Sequence, residues 1–226
     1  DGMTDAGAVY LFQVETNGSA TFLSKATAPD KAPSDEFGRS VSQSGNFLAV
    51  GAYQSDPDSL SDAGATYLYQ VEANGSVTFL TKVTAPDQMA GSQLGWSVSL
   101  SGDILAIGSN KADLNGTVDA GACYLYRLEA NGSATFLDKV TAPDKAAYDY
   151  FGSNVSHSGN LLTVTATWTD VNGISNAGSA YLYQLELTGS ATFLSKITAP
   201  DMALDDKFGN SVVQSGNILV VGAAIS

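Results

Sequence analysis

The stretch FGRSVSQSGNFLAVGA, residues 37–52, consists of two short alternating runs joined by Ser44-Gly45. Residues 39–43 and 47–52 read as strands, because apolar and polar side chains alternate along them. Ser-Gly is a turn signal. The second run ends on Gly51 and Ala52, which are too small to fill a pleated surface. The stretch is not unique. It recurs as LGWSVSLSGDILAIGS at 94–109, FGSNVSHSGNLLTVTA at 151–166 and FGNSVVQSGNILVVGA at 208–223.

The recurrence has a fixed step. Gly38, Gly95, Gly152 and Gly209 lie 57 residues apart, as do Pro29, Pro86, Pro143 and Pro200. A constant period of this size marks a repeat architecture in which each copy buries its faces against its neighbours. Two further strands complete a copy. Residues 65–72 (ATYLYQVE) place Tyr67 and Tyr69 on one face. Asn74-Gly75 then turns the chain into residues 77–83, since Asn-Gly suits a two-residue hairpin loop with positive φ. Pro86 ends the pairing. The predicted class is all-β: a β-propeller whose blades are four-stranded antiparallel sheets, four blades in this chain. Glycine and alanine near the axis let neighbouring sheets approach, and Phe37 is an aromatic plug between them.

Phe-Gly, about ten residues, Ala-Val-Gly-Ala, and then Ala-Gly-Ala-x-Tyr-Leu-Tyr together resemble the FG-GAP repeat family, which includes the propeller of integrin α-subunits and many bacterial and algal surface proteins. The resemblance spans essentially the whole chain. It implies a β-propeller and an extracellular setting. Two departures stand out: Leu94 in place of Phe, and Thr165-Ala166 in place of Gly-Ala. The expected blades are residues 37–93, 94–150 and 151–207, with a split blade made of 208–226 and 1–36 in a single domain, 1–226. The N-terminal segment enters before a third strand and the C-terminal segment leaves after a second. Pairing of these N- and C-terminal strands would close the ring. The rival arrangement is an arc cut from a longer array.

Composition narrows the partners. Net charge is −13, with 10 basic against 23 acidic residues, which argues against nucleic acid. No run of about 18 apolar residues occurs, so no membrane insertion is expected. Cys123 is the single cysteine, so no disulfide framework forms within the chain.

Three groups of residues are candidate sites. The loop between strands two and three carries Asp56, Asp58 and Asp62, then Asp113, Asn115 and Asp119, then Asp170, Asn172 and Asn176; the N-terminal remnant begins at Asp1. Carboxylates and amides around a glycine offer hard oxygens to calcium, and Asx turns in a solvated loop are the competing reading. Asn17, Asn74, Asn131, Asn115 and Asn154 each begin an N-glycosylation pattern. Trp96 and Trp168 do not recur between copies. They either stack on a ligand or, the preferred reading, fill gaps between blades. Lys82 is expected on an outer strand, and Asp87 as a turn cap. His157 and Cys123 align with ordinary strand positions and have no visible catalytic partner, so no catalytic residue is assigned.

The expected function is a non-catalytic extracellular module for protein recognition or adhesion. The alternatives are a structural repeat unit of a surface filament or sheath, which self-assembles, and a lectin-like glycan binder. Partners are thus a protein or glycan at the cell surface.

Overall fold

The computed structural model describes residues 4–224. The first two strands, β1 (Val9–Val14) and β2 (Ala20–Ala26), form a two-stranded antiparallel sheet. A four-stranded sheet follows: β3 (Ser40–Ser44), β4 (Phe47–Ala52), β5 (Ala65–Val71) and β6 (Val77–Val83). The second is β7 (Leu94–Ser101), β8 (Ile104–Ser109), β9 (Ala122–Leu128) and β10 (Ala134–Val140). The third is β11 (Phe151–Ser158), β12 (Leu161–Ala166), β13 (Ser179–Leu185) and β14 (Ala191–Ile197). The last strands, β15 (Ser211–Ser215) and β16 (Ile218–Gly222), make a second two-stranded sheet. Each sheet meanders in chain order, as a propeller blade does. The described pairings do not include β16 with β1.

The core lies between blades. Ala49, Leu68 and Val83 of one sheet meet Leu94, Val98 and Ile107 of the next. Ala106, Leu125 and Val140 meet Phe151, Val155 and Val164 in the same way. Val41 tests what buries these positions. It is 54% exposed, whereas its counterparts Val98 and Val155, each with a complete blade before it, are 8% exposed. The difference is the neighbouring sheet. Covering one valine in this way contributes about 1.5–2 kcal/mol.

Glycine brings the blades together. The Phe151 N–H donates to the Ala120 carbonyl at 2.9 Å, and Phe151 forms a parallel bridge to Gly121. A Cβ on Gly121 would collide with the Phe151 carbonyl oxygen, and its φ is +82°. Gly7 with Phe37, Gly64 with Leu94, and Gly178 with Phe208 repeat the bridge. The plug then packs on its own blade: Phe151 meets Tyr181 and Tyr183 edge-on at 5.4 and 6.2 Å. Gly51 and Gly108, at the ends of β4 and β8, likewise face the carbonyls of Gly95 and Gly152. Thr165 fills this slot in the third blade. Its hydroxyl donates to the Gly209 carbonyl at 2.8 Å, and Asn154, where other copies have serine, donates to the same oxygen.

Serines seal the inner strands. Strand one is the edge of each sheet, so its outward N–H groups need acceptors. The Leu100 N–H donates to Ser42 Oγ, that of His157 to Ser99 Oγ and that of Gln214 to Ser156 Oγ, all at 2.8–2.9 Å. On the outer side, a bulge leaves Leu80 unpaired between Phe79 and Thr81. The bulge turns Leu80 against Gly132 of the next hairpin, and Leu23 and Leu137 meet Gly75 and Gly189 equivalently.

The Lys-x-Thr-Ala-Pro-Asp element clasps blades: Lys82 lies on the outer strand β6, as expected, but the aspartate read as a turn cap reaches into the following blade. Asp87 accepts from Lys139 Nζ at 2.7 Å and from the Tyr124 hydroxyl at 2.8 Å, both in the following blade. Asp30 holds Lys82 and Tyr67 in the same way, and Asp144 holds Lys196. Burial pushes the Asp87 carboxyl up, but Lys139 and Tyr124 outweigh it, and the carboxyl lies below its ordinary range. The lysine follows the tyrosine because they are neighbours across the hairpin, Tyr124 opposite Lys139.

His157 has a structural post. Its Nε2 lies 2.7 Å from the Gly159 carbonyl, where Gln214 Nε2 reaches Gly216 in the fourth copy. Burial holds the imidazole below its ordinary range. The unfolded chain therefore takes up a proton first as pH falls, and stability declines from about pH 6.5 down to the folded value. His157→Gln, which keeps the amide donor used by other copies, is expected to remove that decline in urea unfolding followed across pH. Gly121→Ala should lower stability by at least about 3 kcal/mol, from positive φ and collision together. Gly159→Ala, with φ +63° and open space around it, should cost only about 1 kcal/mol. Equal losses in the two variants would contradict the glycine contact described.

Candidate functional site

The residues left over from packing gather on one face. In β7 the pairing passes from Leu94–Ser109 to Ser97–Gly108, so Gly95 and Trp96 are skipped. In β11 it passes from Phe151–Ala166 to Asn154–Thr165, skipping Gly152 and Ser153. These bulges release the residue after each Phe-Gly or Leu-Gly from the ladder. The residues just past strand two emerge beside them: Tyr53 after β4, Asn110 and Lys111 after β8, Thr167 and Trp168 after β12. Of these, Trp96, Ser153, Asn110, Lys111, Thr167 and Trp168 border a cleft of about 490 Å³, whose lining is completed by Arg39, Tyr150, Asn154 and Asn210.

Cations sit on both indoles. The Arg39 guanidinium carbon is 4.4 Å from the centre of the Trp96 ring, and Lys207 Nζ is 4.4 Å from that of Trp168. Tyr53 meets Trp96 edge-on at 4.9 Å, and Tyr150 meets Trp168 edge-on at 5.8 Å. The two tryptophans differ: Trp96 is half-buried against Arg39 and Tyr53 of the preceding blade, as the gap-filling reading expects, whereas Trp168 is 44% exposed, and both indoles line the cleft. Ile225, which aligns with Trp168, lies outside the described residues. Asn110 is 5% exposed, and its Oδ1 has no hydrogen-bond partner. Burial raises the Tyr150 hydroxyl, with Asp119 adding to it, so the ring stays neutral.

The loop carboxylates do other work. Asp113 Oδ1 accepts the Asp119 N–H at 2.8 Å; Asp56 does the same for Asp62, and Asp170 for Asn176. Asn115 and Asn172, at φ 53° and 52°, each precede a positive-φ glycine and close a small hairpin. Asp62, Asp119 and Asn176 occupy left-handed positions, which Asp and Asn tolerate well. Asp58 accepts from Gln88, and Asn176 Nδ2 donates to Asp205. Among the described residues no group of three or more His, Cys, Asp or Glu side chains is placed to hold a metal ion. Asp56, Asp113 and Asp170 are thus engaged in the Asx turns that compete with the calcium reading of these loops. Asp1 lies outside the described residues.

The glycosylation candidates divide. Asn17, Asn74 and Asn131 sit exposed at hairpin tips, where each Oδ1 accepts from the N–H and hydroxyl of the serine two residues on. Asn115 is exposed at its turn. Asn154 differs: its Nδ2 donates to the Gly209 and Asn210 carbonyls at 3.0 Å. Cys123 is wholly buried, and burial pushes its thiol up, which disarms it as a nucleophile.

Sequence reasoning missed Arg39, Lys111, Lys207, Asn110 and Tyr150. Their signal was available: Arg39, Tyr150 and Lys207 flank a repeated Phe-Gly, and Asn110 and Lys111 follow the end of strand two, at positions where the copies disagree.

Comparison with known proteins agrees with the repeat. The FG-GAP repeat pattern matches residues 21–69, 77–126, 135–183 and 192–226. Among solved structures, the crystal structure of a structural-genomics target from Lactobacillus plantarum shares the fold, with a TM-score of 0.53 and 15% identity. The likeness covers 89% of this chain and 55% of that one, so the chain spans little more than half the length of that relative. No curated protein matches. The matched segments take in the plugs Leu94, Phe151 and Phe208, the clasping Lys-x-Thr-Ala-Pro-Asp elements and the glycines that let blades touch, and on them the chain belongs to the FG-GAP repeat family.

Proposed function

We propose that this chain is a non-catalytic, extracellular propeller segment that recognises a protein partner through the face bearing the tryptophan cleft. One observation carries the reading. The residues common to all copies are used in packing blade on blade, while Arg39, Trp96, Lys111 and Trp168, which do not recur, converge on one cleft. Tryptophan and arginine dominate the binding energy of protein interfaces. The lone histidine and lone cysteine serve in the blade interior, which supports a binding rather than a catalytic role. No helix among the described residues is long and apolar enough to cross a membrane.

A structural reading has its own support in the repeated lysine–aspartate clasps of Asp30, Asp87 and Asp144, which would extend through any number of further blades.

The test is affinity capture from extracellular extracts of the source, with partners mapped by cross-linking. Trp168→Ala is expected to reduce the captured partner about tenfold. Asn74→Ala, at a hairpin tip, should leave capture unchanged. Equal capture by wild type and Trp168→Ala would overturn the assignment of the face.

A further inference from the structure

We infer that the cleft between Trp96 and Trp168 binds a carboxylate-bearing peptide segment of a protein partner. The inference rests on the recognition reading above and names the chemistry of its ligand.

Charge is the first argument. The chain has 10 basic and 23 acidic residues, so a cation without a carboxylate partner stands out. Lys82, Arg127, Lys139 and Lys196 form ion pairs with aspartates. Arg39, Lys111 and Lys207 form no ion pair among the described residues, as is also true of Lys25 and Lys145 elsewhere on the chain, and these three line or flank a single cleft, with Asp119 near Lys111. The acidity of the whole chain acts against an anionic ligand only at long range. At physiological salt such fields fade over about 8 Å, so the cations of the cleft govern contact.

Geometry is the second. Arg39 and Lys207 are held over indole faces at 4.4 Å. A guanidinium fixed on an aromatic ring keeps its N–H donors for a carboxylate and loses less freedom on binding it. The same contacts cover one face of each indole, which leaves a sugar ring less to stack upon.

The third argument separates a peptide from a bare anion. Ser153, Asn154, Thr167 and Asn210 line the cleft beside the cations. Such hydroxyl and amide side chains both donate and accept. A peptide brings backbone N–H and C=O groups to pair with them along with its carboxylate, whereas a simple anion brings acceptors only. The cleft volume, about 490 Å³, is within the range of small-ligand sites.

The two tryptophans are the only ones in the sequence and both border the cleft, so intrinsic fluorescence reports on the site directly. The full chain is titrated with the blocked peptide Ac-Ala-Glu-Asp-Ala-NH2, its isostere Ac-Ala-Gln-Asn-Ala-NH2, and tetragalacturonate. The acidic peptide is expected to shift the emission saturably, with the amide isostere at least about tenfold weaker. Arg39→Gln and Lys111→Gln should each weaken the acidic peptide about fivefold without moving the thermal midpoint, and Lys145→Gln should change nothing. Equal binding of acid and amide peptides, tighter binding of tetragalacturonate, or no saturable response to the acidic peptide at millimolar concentration would each overturn the inference. Capture that fails for Trp168→Ala but survives Arg39→Gln and Lys111→Gln would overturn it too, while leaving protein recognition through this face intact.

Discussion

Blade meets blade in this chain through a backbone contact that tolerates no side chain. The Phe-Gly or Leu-Gly start of one sheet hydrogen-bonds to the Ala-Gly-Ala or Ala-Gly-Ser entry of the third strand in the sheet before it, at Gly7, Gly64, Gly121 and Gly178. Any Cβ on these glycines would strike the opposing carbonyl. The rest follows from that proximity. Once the backbones touch, the plug reaches the tyrosine pair of its own blade, and strand one lies close enough for serine hydroxyls to cross to the next. At the outer rim the aspartate of one copy reaches the lysine and tyrosine of its successor.

These contacts differ in worth. The apolar surface between sheets dominates, because each interface buries a plug and several branched side chains, each contributing about 1.5–3 kcal/mol. The lysine–aspartate clasp is half exposed on its acidic side, so it adds little energy by itself. Its value lies in register. Together with the tyrosine hydroxyl it fixes how far one sheet can slide over the next. The serine contacts serve satisfaction more than attraction, since they give edge N–H groups an acceptor where water is scarce.

Two consequences bear on function. Packing uses the repeated residues, so the molecule is free to vary only where packing ends. The strand-one bulge and the end of strand two are such places, and they adjoin each other. A binding surface therefore arises from positions flanking the most invariant elements of the repeat. His157 shows the converse. A residue type rich in chemistry, standing where other copies carry glutamine or leucine, became a hairpin clasp because the slot is buried and faces a carbonyl.

The sequence by itself determined the blade. The 57-residue step, the alternation of each run, and Ser-Gly and Asn-Gly at the turns specify four short antiparallel strands, and β4 and β6 fall on the residues read from the alternation. Local chemistry is enough for this, because alternation and turn geometry act within a few residues. Only the tertiary structure decided what the residues of different copies do to one another. Asp87 and Lys139 are 52 positions apart, and Ser99 and His157 58, so no local pattern announces their partnership. The cleft is the extreme case. Arg39, Trp96, Lys111 and Trp168 come from three copies and fall in just two slots of the repeat, and they meet because sheet stacking carries one corner of each blade to the same face.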